Sequence, residues 1–139
     1  MPDKAFLDTN ILVYAFSTND PRKPVAEELV VKGGTVGIQT LNEFVNVERN
    51  KVGESWDTVL KWLRIIRILC PPPVPLTAET HHRALQIAQT TGYHLYDSLM
   101  LAAAIEASCT VFYSEDMQDG RALDLITIRN PFTRRKSHR

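Results

Sequence analysis

Short apolar runs alternate with helical stretches along this chain, and that alternation most constrains what it can fold into. Ala5–Leu7, Thr35–Ile38, Val74–Leu76, Thr110–Tyr113 and Leu125–Ile128 read as strands. The segment N-I-L-V-Y-A-F opens a first helix, and V-A-E-E-L-V-V-K, behind Pro24, makes a second that stops at Gly33-Gly34. Thr40–Lys51 reads as helical, with Leu41, Phe44, Val45 and Glu48 marking one stripe. Ser55 is placed to cap the next helix, which Pro71–Pro73 and Pro75 cannot continue. Thr77 or Thr80 caps a helix ending at Gly92, and Asp97–Ala107 is strongly helical. Strands that alternate with helices imply a mainly parallel sheet with both faces covered.

The helix after Ser55 is apolar on more than one side. Trp56, Val59, Leu60 and Leu63 form one stripe, and Trp62, Ile65, Ile66 and Leu69 widen it. So broad an arc predicts deep burial or a partner, and Trp62 and Ile65 are the expected docking or dimer contacts.

A length of 139 residues with 44% hydrophobic and 23% charged residues fits one globular domain. No apolar run is long enough to span a bilayer, and M-P-D-K-A-F-L-D is not a signal sequence, so a cytoplasmic protein is expected. Cys70 and Cys109 form no metal-binding pair and read as buried thiols, and the four histidines show no metal-ligand spacing. The zero net charge conceals an asymmetry. Residues 129–139 hold five Arg or Lys and no acid, so residues 1–128 carry 11 basic against 16 acidic groups, a net of −5. This divides the chain into a domain at 1–128 and a basic tail at 129–139. Arg129, Arg134, Arg135 and Lys136 are candidates for contacts to a phosphate backbone.

Four acids, Asp8, Glu43, Asp97 and Asp116, fall at ends of the expected elements. Singly, each has an ordinary role: Asp8 and Asp97 as helix N-caps, Glu43 as a first-turn acid, Asp116 in a polar turn. In an alternating fold they gather on one edge of the sheet, where strand ends form the binding crevice. Like charges collected there raise one another's pKa unless a cation intervenes. Asp119 lies close enough in sequence to share the site, and Asn10 and Ser114 are candidates to orient the carboxylates.

The neighbourhoods of these acids carry a family resemblance. F-L-D-T-N-I-L-V-Y-A, Q-T-L-N-E-F, L-Y-D-S-L-M-L-A-A-A and Y-S-E-D-M-Q-D-G resemble, in order, the acidic motifs of the PIN domain, the ribonuclease fold of VapC-type toxins. The fourth departs from the pattern in holding its second acid, Asp119, three residues beyond Asp116. The resemblance spans about residues 4–128 and implies a three-layer α/β/α sandwich with a central, mainly parallel sheet. It implies a metal-dependent endoribonuclease leaving 5′-phosphate and 3′-hydroxyl ends, a cognate antitoxin as partner, and a homodimer. Asp8, Asp97 and Asp116 become expected ligands of Mg²⁺ or Mn²⁺, with Glu43 on a second ion or the attacking water. An all-oxygen donor set without His or Cys suits Mg²⁺.

Two other readings compete. A phosphotransferase using Asp8 as nucleophile would want an acid at position 10 and a lysine near the later strand, where the chain has Asn10 and no lysine. A PIN-like module that binds RNA or a partner without cutting would not need all four acids.

Overall fold

A computed structural model describes residues 4–132. The elements run β1 (Ala5–Leu7), α1 (Thr9–Ala15), α2 (Lys23–Val31), α3 (Ile38–Val47), α4 (Trp56–Leu69), α5 (Ala78–Thr91), α6 (Leu95–Glu106), β2 (Val111–Tyr113), β3 (Ala122–Leu123) and β4 (Ile126–Arg129). The sheet order is β1-β2-β4-β3. β1 pairs parallel with β2 and β2 with β4, while β3 pairs antiparallel with β4. The expected mainly parallel α/β sandwich is present.

Strand alternation distributes the core to both faces. Leu7 points into one cluster with Ile11, Leu12, Val30, Phe44 and Ile66 from the first four helices. Phe6 points to the other side, against Met100, Leu101 and Ala104 of α6, and stacks on Phe112 of β2 at 5.3 Å. Helix α6 is small-residue rich and buried from Ser98 to Ala104, as its composition predicts. Ser55 caps α4, Thr77 caps α5, and Gly92 ends α5 with φ +81°, a conformation that favours glycine.

Several expected elements are corrected. Thr35–Ile38 is not a full strand: Thr35 bridges Phe6 and Gly37 bridges Val74, each as one isolated contact. Thr40 Oγ1 accepts the Gly37 N–H at 3.1 Å, which starts α3 at Ile38 and ends the extended run early. Val74–Leu76 shrinks to that one bridge for the same reason. The helix expected to reach Lys51 changes at Glu48 into a π-helical turn, Glu48–Val52, closed by Gly53 at φ +88°. Helix α6 begins at Leu95 with His94 at the cap position, so Asp97 lies in the first turn and is not the N-cap. The short strand β3 has no counterpart among the expected strands.

The broad apolar arc of α4 divides. Val59 and Ile66 are buried, and Trp62 and Leu63 pack on the core, whereas Trp56, Leu60, Ile68 and Leu69 stay exposed. Cys70 and Cys109 are free and buried. Among the described residues no helix is long and apolar enough to cross a membrane.

Candidate active site

Asp8 immediately follows β1, and its backbone N–H donates to Tyr113 O at 3.0 Å. The parallel pairing of β1 with β2 therefore places Asp8 beside Ser114. The Ser114 hydroxyl donates to Asp8 Oδ2 at 2.6 Å, and the Thr9 backbone N–H donates to Oδ1 at 2.7 Å. Asp8 is thus an N-cap as well as a site residue, and it is only 4% exposed. Burial pushes its carboxyl up to about 7 against the pull of the Ser114 and Thr9 hydrogen bonds, and the charges of Asp97 and Glu43 raise it further.

Glu43 stands half-buried on α3. Its Oε1 accepts the Thr9 hydroxyl at 3.3 Å, and its Oε2 accepts Gln39 Nε2 at 3.0 Å from one turn earlier. Asp97 enters from the first turn of α6, and burial raises its pKa, with Glu43 adding to the rise, His94 opposing it and Asp116 adding again. Asp116 is exposed. Its Oδ2 accepts Asn10 Nδ2 at 3.0 Å, and its backbone N–H donates to the Ser114 hydroxyl at 3.2 Å. Four acids from β1, α3, α6 and the turn after β2 therefore share one electrostatic neighbourhood.

Ser114 and Asn10 hold this neighbourhood together. Ser114 is fully buried and links Asp8 to the Asp116 backbone. The amide nitrogen of Asn10 fixes Asp116, while its Oδ1 is buried without a hydrogen-bond partner. Asp119 Oδ1 accepts the Asn130 backbone N–H at 2.9 Å, just past the end of β4. Arg129 closes β4 itself, and its carbonyl accepts the Ser114 N–H at 3.0 Å. Arg134, Arg135 and Lys136 lie outside the described residues.

Sequence reasoning missed several groups around the acids. Thr9, Gln39 and His94 address Glu43 and Asp97 directly. Gln39 was within reach, since it precedes Glu43 by one helical turn. A second group holds the turn that carries Asp116. Arg22 pairs with Asp20 at 2.7 Å and with Glu115 at 2.8 Å, its guanidinium sits 3.7 Å above the Tyr14 ring, and the Tyr14 hydroxyl also donates to Glu115. Positions 14, 20, 22 and 115 carry no common motif that would have grouped them.

The donor set is entirely oxygen, and like charges meet there beside the unpartnered Asn10 Oδ1. In donor chemistry this suits a hard divalent cation. Among the described residues, no three or more His, Cys, Asp or Glu side chains are arranged so that they could hold a metal ion by themselves. Mg²⁺ commonly uses one or two carboxylates and completes its shell with waters and substrate phosphate oxygens.

The chain matches the PIN domain family over residues 5–119. No curated protein matches it. Among solved structures it is similar to a toxin–antitoxin complex from Klebsiella pneumoniae, at 18% identity and a TM-score of 0.69 over 93% of this chain and 98% of that one. It is similar to VapC20 of Mycobacterium tuberculosis, described as a sarcin–ricin loop cleaving toxin, at 15% identity and a TM-score of 0.65 over 78% of this chain and 87% of that one. It is also similar to VapBC2 from Rickettsia felis bound to a fragment of promoter DNA, at 18% identity and a TM-score of 0.62 over 91% and 97% of the two chains. At these identities the likeness shows a common fold.

Proposed function

Since this chain belongs to the PIN-domain family, we propose that it is a metal-dependent endoribonuclease, the toxin of a toxin–antitoxin pair. The observation that carries the reading is the grouping of Asp8, Glu43, Asp97 and Asp116 at the strand ends, with two carboxyl pKa values raised by burial and mutual charge. A structural ion-pair network would bring cations to these acids; here the polar partners of Asp8, Glu43 and Asp116 are hydroxyl, amide and backbone groups.

Asp8, Asp97 and Asp116 would hold Mg²⁺ or Mn²⁺ directly or through water, with Glu43 on a second ion or the attacking water. When bound, the ion supplies charge neutralisation on the phosphate and an acidified water. The residues of this chain do the positioning. Ser114 orients Asp8 and restrains the Asp116 backbone, Asn10 holds the Asp116 carboxylate, and Thr9 and Gln39 hold Glu43. Asp119, with one carboxylate oxygen on the Asn130 N–H, is a further candidate ligand.

RNA would approach the acidic edge, and Arg129 with the basic residues 134–136 of the tail would supply contacts to backbone phosphates. The antitoxin would cover apolar surface left exposed on α4, and a second copy of the chain is a further expected partner. The cytoplasm, where RNA and antitoxin are made, is the expected location. The test is cleavage of a structured RNA by purified protein with Mg²⁺ or Mn²⁺, wild type against Asp97→Asn. Equal cleavage by both would overturn the reading, and RNA binding without cleavage would restore the non-cutting module.

A further inference from the structure

We infer that the pocket between the α1–α2 connection and the π-helical turn receives one basic side chain of a protein partner, with Glu48 as its counter-charge. The pocket has a volume of about 420 Å³. Val13, Phe16, Pro21 and Val52 line its walls, and Glu48 and Glu54 supply carboxylates. Glu48 is 3% exposed and lines the pocket, and its carboxylate oxygens are not among the fully buried polar atoms left without a partner, so what exposure it has can open onto the pocket. Its backbone carbonyl is satisfied, accepting both the Gly53 and Glu54 N–H groups. The third acid of the lining, Asp20, is already held by Arg22.

A buried carboxylate without a partner is costly in its charged form, so a partner that brings a cation is favoured. Burial, with the charge of Glu54 nearby, pushes the Glu48 carboxyl up to about 7. Apolar walls around a buried acid match the shape of an arginine or lysine side chain, whose methylene stem lies on hydrophobic surface while its head reaches a charge. A guanidinium also meets a carboxylate through paired hydrogen bonds. A divalent metal fits less well, since Val13, Phe16, Pro21 and Val52 give it apolar walls where it needs oxygen donors.

The neighbouring surface points to a protein as the source of that side chain. Phe16, Ser17 and Thr18 also line a second groove of about 760 Å³, which runs past Val30 and Trp62 between α2 and α4. A peptide lying in that groove, which Lys23, Glu27 and Lys61 also line, meets the acidic pocket across the shared Phe16–Thr18 wall. A free polyamine would have no use for the groove. The inference does not depend on the nuclease reading, because Glu48 makes no contact with the acids at the strand ends.

The test is side-chain carboxyl NMR of the full chain titrated with N-acetyl-arginine amide, with its neutral isostere N-acetyl-citrulline amide, and with spermidine or Mg²⁺ as competitors. The arginine compound is expected to shift the Glu48 resonance saturably while the citrulline compound does not. Glu48→Gln, followed through the backbone amides of Val13, Thr18 and Val52, is expected to weaken binding by about tenfold. Glu54→Gln, which leaves Glu48 in place, retains binding with a smaller loss. Absence of a saturable shift, or an equal response to citrulline, overturns the proposal. A stronger response to spermidine or to Mg²⁺ overturns the assignment to a protein side chain.

Discussion

The hydroxyl of Ser114 donates to Asp8 Oδ2 at 2.6 Å, joining residues 106 positions apart in the chain. The bond exists because β1 and β2 are parallel neighbours in register, so the residues following Leu7 and Tyr113 leave the sheet side by side. It also lowers the Asp8 pKa against the effect of burial. Ser114→Ala removes that pull, so Asp8 ionises at higher pH. The rising limb of the pH–cleavage profile is expected to move upward by about one pH unit, the worth of one charge-assisted hydrogen bond. An unmoved limb would show that Asp8 ionisation does not control cleavage.

Asp8→Asn should abolish cleavage and yet stabilise the fold at neutral pH. The folded Asp8 carboxyl titrates near 7 against an ordinary value of 3.8. Between those values the folded state binds more protons than the unfolded state, so wild-type stability falls as pH rises through that window. Asn carries no such charge and caps α1 equally well. Urea unfolding at pH 8 is expected to show a gain of about 1–3 kcal/mol.

Addition of Mg²⁺ at pH 7 should raise the melting temperature of the wild type, because the ion binds the folded state only. At a concentration one hundredfold above its Kd the gain is about 2.7 kcal/mol. EDTA should reverse it, and Asp8→Asn or Asp97→Asn should abolish it. A shift of equal size in those variants would place the ion elsewhere.

Glu48→Gln separates a buried charge from the nuclease chemistry. The Glu48 carboxyl is raised from 4.5 to about 7, so the wild type loses stability as pH climbs between those values, and the variant should not. Calorimetry at pH 5 and pH 8 is expected to show the two proteins close together at the lower pH. At the higher pH the variant should be about 1–3 kcal/mol more stable. RNA cleavage should be unchanged.

Partner docking on α4 is best probed at Ile68, which is 80% exposed. Ile68→Asp should spare the fold and weaken antitoxin capture. Trp62, by contrast, stacks on Phe16 at 5.2 Å and packs on the core, so Trp62→Asp should destabilise the protein by about 3 kcal/mol or more. A thermal melt of each variant, read beside a pull-down with the antitoxin, distinguishes the two.

Much of this architecture was legible in the sequence because its signals are local. Strand β1, the Ser55 and Thr77 caps, the Gly92 stop and the small-residue face of α6 each follow from neighbouring residues. The acids Asp8, Asp97 and Asp116 were legible as a set since each sits beside an element end. Single bridges at Thr35 and Val74 looked like strands, since apolar residues alone do not reveal where a hydroxyl such as Thr40 will start a helix. The two-residue β3 is too short to show alternation. The Arg22–Glu115–Tyr14 group and the isolated Glu48 depend on contacts between distant segments, and no spacing encodes them. Asp119 was a candidate to share the site, and its bond to the Asn130 N–H comes from a segment that no sequence spacing links to it.

The parallel pairing of β1 with β2 also sets the order in which the acids of the site come together as the chain is made. Asp8 and Glu43 leave the ribosome early, but Ser114 and Asp116 lie beyond β2, whose other neighbour, β4, runs to Arg129. A nascent chain therefore carries an unfinished site until β2 and β4 have both emerged. On the proposed toxin reading, an antitoxin made alongside would have that interval in which to accumulate, and a product that ends before β2 would lack Ser114 and Asp116.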